Sequence, residues 1–335
     1  RCVASLARVQ GVWHQPTHAQ GAGGVNGGRP GAPEGRDEGE AGQVMTRVRK
    51  AVFPVAGLGT RVLPAVKAVP KEMLPVVDRP LIEYAVEEAR AAGIEEFIFV
   101  TGRGKDALED HFDRAIELED TLEQRGKIRE LEAVRHTNLP AGSVQSLRQL
   151  DPLGLGHAVW VARRAVGDEP FAVVLPDDLI KSDTPCLKQL VDVHDQVGGN
   201  VAAVIDVPRE QTARYGILDV TQDDGRIATA KGLVEKPDPQ DAPSTLSIIG
   251  RYVLDPRVMR ELDKQQTGAG GEIQLTDAMA ATIGEVPFHG LRFEGTRYDC
   301  GNKAGYVAAT LAFALDHPET KDATVELIRQ FARDL

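Results

Sequence analysis

Cysteine is scarce in this chain. Only Cys2, Cys186 and Cys300 occur, none of them in a C-x-x-C pair, which leaves neither a disulfide framework nor a cysteine-ligated zinc site. No apolar run approaches the roughly 18 residues that a membrane span needs, so no membrane partner is expected. Positive charge is in deficit as well, with 39 Lys and Arg against 50 Asp and Glu and a formal net charge of −11. Phosphate backbones select basic surfaces, and this balance argues against a nucleic-acid partner. The basic start and apolar core of a secretory leader are absent from the first residues. A reducing cytoplasm is therefore the expected compartment.

What is present is ordinary globular material: 335 residues, 42% apolar and 27% charged, enough for one large core or one domain with insertions. The first 48 residues stand apart. Residues 21–44 hold nine glycines together with Pro30 and Pro33, a composition that cannot bury a core, so 1–48 are expected to be a disordered extension. Met45 directly precedes the segment TRVRK that leads into the first strand, and the biological start is expected there; a genuine disordered tail is the alternative. Residues 49–335 are expected to form a single domain.

From Lys50 onward strand and helix signals alternate. Ala51–Val55, Ile94–Thr101, a short stretch near Val144, Phe171–Leu175 and Val201–Val207 read as strands. Helices are expected from Pro80 to Gly93, across the charged 104–135 region, from His157 to Val166, and in the run from about Lys303 to Leu335. Ile217–Lys231 reads as a hairpin around Asp224-Gly225. Continuous apolar strands separated by helices predict an α/β fold of Rossmann-like type, with a mixed, mainly parallel sheet flanked by helices. Ligands of such sheets bind beyond the carboxyl ends of the strands. The loops at Gly57, Gln149–Gly156 and Asp177 all follow strands and are expected to meet at one edge.

The loop after the first strand is the most telling segment. Ala56-Gly57-Leu58-Gly59-Thr60 ends on Arg61, and ten residues after Arg61 stands Lys71, in Pro70-Lys71-Glu72-Met73-Leu74-Pro75. Glycines let backbone N–H groups approach a ligand, and two cations behind them suit a polyphosphate. It is not the dinucleotide fingerprint, because Val62 stands where a third glycine is needed, nor a P-loop, because no Gly-Lys-Ser/Thr follows. Taken alone, a Gly-x-Gly after a strand is as often a tight turn as a ligand cradle.

With Thr60-Arg61 and Pro70-Lys71 the segment resembles the signature of sugar-1-phosphate nucleotidyltransferases. Further motifs extend the resemblance over about residues 47–335 and direct it to the bacterial uridylyltransferases of that family: GLGHA at 154–158, LPDD at 175–178, YGI at 215–217, VEKP at 234–237, GEIQLTDA at 271–278 and YDCGNK at 298–303. The resemblance implies transfer of the uridylyl group of UTP to glucose 1-phosphate, with Mg²⁺ as cofactor and a homodimer or homotetramer as the assembly. Arg61, Lys71 and Lys236 would be the catalytic cations, the first two on the leaving pyrophosphate and Lys236 on the sugar phosphate. Ala56, Gly57, Gly59, Gln149 and Gly154 would hold the nucleotide; an amide such as Gln149 both donates and accepts, as the edge of uracil requires. Gly216 and Glu235 would hold the sugar.

Asp177 would ligate the metal, with Asp299 as a second carboxylate for it. Magnesium is typically held by one or two carboxylates plus phosphate oxygens. Each of these residues also has an ordinary structural reading. Carboxylates after a strand form turns, an exposed lysine is usually solvated, and Glu272 and Thr276 suit a helix cap as well as a pocket. His157 reads as a structural residue. A sister enzyme acting on dTTP or another sugar phosphate, a non-catalytic nucleotide-sugar sensor, and an unrelated glycine-loop oxidoreductase are the rival readings.

Overall fold

The computed structural model describes residues 47–334, so the expectations for Cys2, the glycine-rich tract and Met45 lie outside the described residues. Val48, assigned above to the extension, is 1% exposed and belongs to the same buried cluster as Ala51 and Phe53. The apolar run after it is β1 (Lys50–Pro54), with Ala51, Val52 and Phe53 fully buried. The hairpin β2 (Pro75–Val76) and β3 (Arg79–Pro80) then delivers the chain into α1 (Leu81–Ala91). Pro80 precedes a helix start where no N–H is needed, and Gly93 at φ 90° follows its end. After β4 (Glu96–Thr101) the charged region divides into α2 (Ala107–Asp110), α3 (Ile116–Gln124) and α4 (Ile128–Thr137), the last two separated at Gly126, φ 66°.

Beyond β5 (Val144–Arg148) come α5 (Leu155–Val161) and α6 (Arg163–Val166). The helix expected from His157 begins two residues sooner. Gly154, at φ 111°, turns the chain in, and Gly156 is small enough for its N–H to reach the Ile273 carbonyl at 2.8 Å. Next are β6 (Phe171–Val174), β7 (Asp178–Lys181), α7 (Cys186–Val197) and β8 (Asn200–Asp206). The expected hairpin is β9 (Gly216–Asp223) and β10 (Ile227–Glu235), its turn held by Asp224 Oδ1 accepting from the Arg226 and Ile227 N–H groups. Then β11 (Leu246–Leu254), α8 (Arg257–Leu262), α9 (Leu275–Thr282), β12 (Phe288–Arg292), β13 (Thr296–Asp299), α10 (Lys303–Ala314) and α11 (Lys321–Asp334) complete the chain.

Nine strands form one mixed sheet in the order β5-β4-β1-β6-β11-β8-β12-β10-β9. The expected fold class holds, and its parallel register is concentrated in β5-β4-β1-β6, with β11 antiparallel beside it. Side chains alternate across the sheet. Ala51 and Phe53 pack with α1 and α7, while Val52 packs with α5, α8 and α9, so helices cover both faces. Because β1, β4, β5 and β6 run the same way, the segments that follow them emerge at one edge. That edge carries the Gly57 loop, Lys105, Gln149 and Asp177.

The centre of the sheet holds one buried cation. Arg251 of β11 is 1% exposed; its Nε and Nη2 donate to the two carboxylate oxygens of Glu88 on α1 at 3.0 and 2.8 Å. The same carboxylate accepts the Leu187 N–H at the start of α7, so one ion pair joins a strand and two helices. Removing one partner leaves a buried charge unpaired. Glu88→Ala is therefore expected to lower unfolding free energy by about 3–5 kcal/mol, read from the urea midpoint.

Candidate active site

The loop after β1 is shaped around Lys71. Gly59 lies at φ 65°, and a Cβ there would stand 3.1 Å from Lys71 Cβ; a Cβ on Gly57 would stand 3.9 Å from Lys71 Cε. Small residues thus let the loop run along the lysine stem. Lys71 sits in a short turn, Lys71–Met73, entered through Pro70, and its Nζ reaches Asp177 Oδ2 at 2.5 Å. Its neighbour Glu72 is fully buried and accepts from Lys105 Nζ at 2.8 Å, and Lys105 also donates to the Gly57 carbonyl at 3.0 Å. With Lys71 Nζ 3.9 Å from Glu72 Oε1, a continuous chain of charge runs from the Gly57 loop to Asp177.

Burial alone would raise the Asp177 carboxyl, but Lys71 and then Arg61 outweigh it and hold its pKa below the ordinary value. Lys71 is pulled the other way: burial would lower it, and Asp177 and Glu72 together raise it. Burial lifts the Glu72 pKa despite Lys71 and Lys105. Sequence reasoning passed over both Glu72 and Lys105. The available signals were the position of Glu72 beside Lys71 and of Lys105 just after β4, at the ligand edge of the sheet.

The two consecutive aspartates have different places. Asp178 accepts from Arg297 Nε at 2.9 Å and the Gly250 N–H at 2.7 Å, with burial pushing its pKa up. Both aspartates border the cleft, and Asp177 meets Lys71 instead. Antiparallel pairing of β7 with β13 sets Asp299 opposite Asp178, and the Cys300 N–H donates to the Asp177 carbonyl at 2.8 Å. A Cβ on Gly301 would lie 2.9 Å from both Arg61 Nη2 and Asp177 Oδ2 and 3.0 Å from Asp299 Oδ1. One arginine and two carboxylates therefore converge over a residue that has no side chain to obstruct them.

Two hard oxygen donors suit Mg²⁺, which is commonly completed by substrate phosphates. Among the described residues no group of three or more His, Cys, Asp or Glu side chains is placed to hold a metal by itself.

Across the cleft, the β9–β10 register pairs Gly216 with Glu235. Glu235 Oε1 lies 3.1 Å from Lys236 Nζ. Lys236 adopts φ 47°, rare for a residue with a side chain, and its N–H donates to the Tyr215 carbonyl at 2.9 Å. A Cβ on Gly216 would stand 2.8 Å from Thr276 Oγ1 and 3.2 Å from Glu235 Oε2, so only glycine fits there. Glu272 and Thr276 line the same cleft, and neither caps α9, whose N-cap is Gln274 without a side-chain bond.

Arg61, Asp177, Asp299, Gly216, Glu235 and Lys236 all border this one cleft. Gly57, Gly59 and Lys71 adjoin it through the Lys71–Asp177 pair, while Ala56, at the start of the same loop, backs onto Gly102, where a Cβ would stand 3.1 Å from its carbonyl oxygen. Gln149 and Gly154 adjoin it beside Leu155, where a Cβ on Gly154 would meet Glu272 Cβ at 2.8 Å. Arg214 and Arg297 also border the cleft and were not anticipated; Arg214 Nη2 approaches Asp299 Oδ2 at 3.6 Å.

A nucleotidyl transferase family model matches residues 50–314. The chain is 60% identical over 256 residues to the UTP–glucose-1-phosphate uridylyltransferase of Komagataeibacter xylinus, covering 76% of this chain and 90% of the relative. It is 50% identical over 281 residues to the enzyme of that name from Bacillus subtilis (strain 168), covering 84% and 96% respectively. Among solved structures, a UTP-bound UGPase from Acinetobacter baumannii aligns with TM-score 0.77 and 44% identity over 84% of this chain and 98% of that one. A UDP-glucose pyrophosphorylase complexed with UDP-glucose aligns with TM-score 0.72 and 38% identity, covering 81% of this chain and 100% of that one.

The buried Lys105–Glu72 pair gives a test of the charge chain. Lys105→Met orphans the Glu72 carboxylate and is expected to cost about 3–5 kcal/mol in urea unfolding, whereas Lys105→Met combined with Glu72→Leu should recover most of that loss. Equal stability of the single and double variants would show that the pair is not coupled.

Proposed function

The chain belongs to the nucleotidyl transferase family, among its UTP–glucose-1-phosphate uridylyltransferases, and on that premise we propose how its cleft divides the work. The enzyme transfers the uridylyl group of UTP to α-D-glucose 1-phosphate, forming UDP-glucose and pyrophosphate. This replaces the readings as a sensor, an oxidoreductase or a sister enzyme. The observation that carries the division of labour is the convergence of Arg61, Asp177 and Asp299 on one side of a cleft whose other side is Glu235-Lys236.

The attacking oxygen belongs to the sugar phosphate, which is already anionic at neutral pH, so no protein nucleophile or general base is needed. The work of the protein is alignment and charge neutralisation. Lys236, its backbone fixed in the left-handed region and bonded to Tyr215, holds the incoming phosphate; Glu235 accepts from sugar hydroxyls over the bare backbone of Gly216.

On the nucleotide side Ala56, Gly57, Gly59 and Gly154 offer backbone, and Gln149 reads the base. Arg61 and Lys71 neutralise charge that builds on the leaving pyrophosphate as attack proceeds at the α-phosphorus. Asp177 and Asp299 are the residues that would hold Mg²⁺, which when bound supplies further neutralisation of the triphosphate oxygens.

Residues 49–335 are proposed to act as one nucleotidyltransferase domain, the sugar half supplied by the β9–β10 hairpin and α9, and the C-terminal helices α10 and α11 following it. A homodimer or homotetramer is supported by exposed apolar side chains on those helices, Val307, Leu311, Leu327 and Phe331. A cytoplasmic location is supported by the substrates. No helix of the described residues is long and apolar enough to cross a membrane.

Pyrophosphate release across a matrix of nucleoside triphosphates and sugar phosphates tests the assignment. Asp177→Asn is expected to lower Mg²⁺-dependent turnover about a hundredfold or more with the fold retained by circular dichroism. A near-normal rate would remove Asp177 from the metal site. Glu235→Gln should chiefly raise KM for glucose 1-phosphate, and an effect confined to UTP would overturn its sugar role.

A further inference from the structure

Gln149 is 9% exposed and immediately follows β5. Its Nε2 lies 3.2 Å from the Gly154 carbonyl and 3.0 Å from His157 Nδ1. A carbonyl oxygen only accepts, so the first contact identifies the amide nitrogen as the atom facing inward. An amide nitrogen has two hydrogens, and the second must then go to His157. That ring nitrogen accordingly presents a lone pair, with the proton of the neutral imidazole on Nε2.

The imidazole is itself held. It is 8% exposed and stacks on the Trp160 ring at 5.4 Å between centroids and 24° between planes. Burial lowers its pKa against the opposing influence of Asp151, which favours the neutral form that accepts. Both donors of Gln149 are thus spent within the protein. Its Oε1 accepts no hydrogen bond from any described residue.

We propose that His157 is the positioning residue for base selection: by accepting from Gln149 Nε2 it holds the amide with only Oε1 presented to the base. This rests on the reading of Gln149 as the base contact. An acceptor in that position pairs with the N3–H of uracil. In the same register cytosine presents an unprotonated N3, and two acceptors face one another. Were the amide free to turn over, its NH₂ group would meet cytosine instead. The glutamine alone is indifferent between the two bases, since it carries both kinds of group; the histidine lone pair makes it one-sided.

The test compares UTP with CTP as substrates of the full enzyme, with glucose 1-phosphate and Mg²⁺ saturating. His157→Phe keeps the ring stack on Trp160 and removes the acceptor. It is expected to raise KM for UTP more than it lowers kcat and to narrow the UTP:CTP ratio of kcat/KM by about tenfold or more, since a site loses discrimination when its polar partner is no longer fixed. His157→Asn, whose Oδ1 can stand where Nδ1 stands, should restore most of the ratio. If His157→Phe does not fold, His157→Leu replaces it in the same comparison.

An unchanged UTP:CTP ratio in the acceptor-less variant, with folding intact, overturns the role of His157. So does an asparagine variant no better than phenylalanine. Gln149→Leu separates the two levels of the argument. If it leaves UTP use intact, the base-contact reading itself fails. If it cripples UTP use while the histidine variants keep full selectivity, only the inference about His157 fails.

Discussion

The site depends on a buried chain of alternating charge that runs from the Gly57 carbonyl through Lys105, Glu72 and Lys71 to Asp177. Desolvation opposes the charge on Lys71, Glu72 and Asp177 where they sit. At Lys71 and Asp177 the paired charges outweigh it, and the links come from four different segments of the sheet edge. The glycine loop, the turn carrying Lys71 and the end of β6 are in consequence tied together before any substrate arrives. Cations fixed in advance need not reorganise as charge develops beside them, and the role proposed for Lys71 draws on that property.

The second half of the cleft is built by different means. Close backbone approach, rather than ion pairing, sets Gly216 against Glu235 and Thr276, Gly154 against Glu272 and Ile273, and Gly301 beneath Arg61, Asp177 and Asp299. In each case a methyl group would fill the space that brings two segments together. The β7–β13 pairing joins the halves, since it carries Asp299 to the side of Asp177 while Arg297 of the same strand pairs with Asp178.

Much of the architecture was legible in the order of residues. β1, β4, β6 and β8 are short, nearly continuous apolar runs, and a strand buried on both faces has to read that way. The Asp224-Gly225 turn and the helix bounded by Pro80 and Gly93 were equally plain, because their backbone angles need those residue types. The helix start at Leu155 was misplaced, since Gly156 lies inside α5 for a reason that belongs to Ile273, more than a hundred positions away. The antiparallel insertion of β11 beside β6 left no mark in the periodicity. A fully buried strand looks the same in either direction.

The order of residues shows which side chains stand at the strand ends: small residues after β1, cations at Arg61 and Lys71, acids at Asp177 and Asp299, and the Glu235-Lys236 pair. Their expected roles came from the resemblance to sugar-1-phosphate nucleotidyltransferases, since each residue type taken alone also has an ordinary structural use. How those side chains are partnered is visible only in the folded chain. It separated Asp177 from Asp178, recruited Glu72 and Lys105 into the charge chain, and committed both donors of Gln149 to Gly154 and His157. The physical reason is the same in all three. A buried polar group must satisfy its partners in three dimensions, and the residues that satisfy it need not be neighbours in the chain.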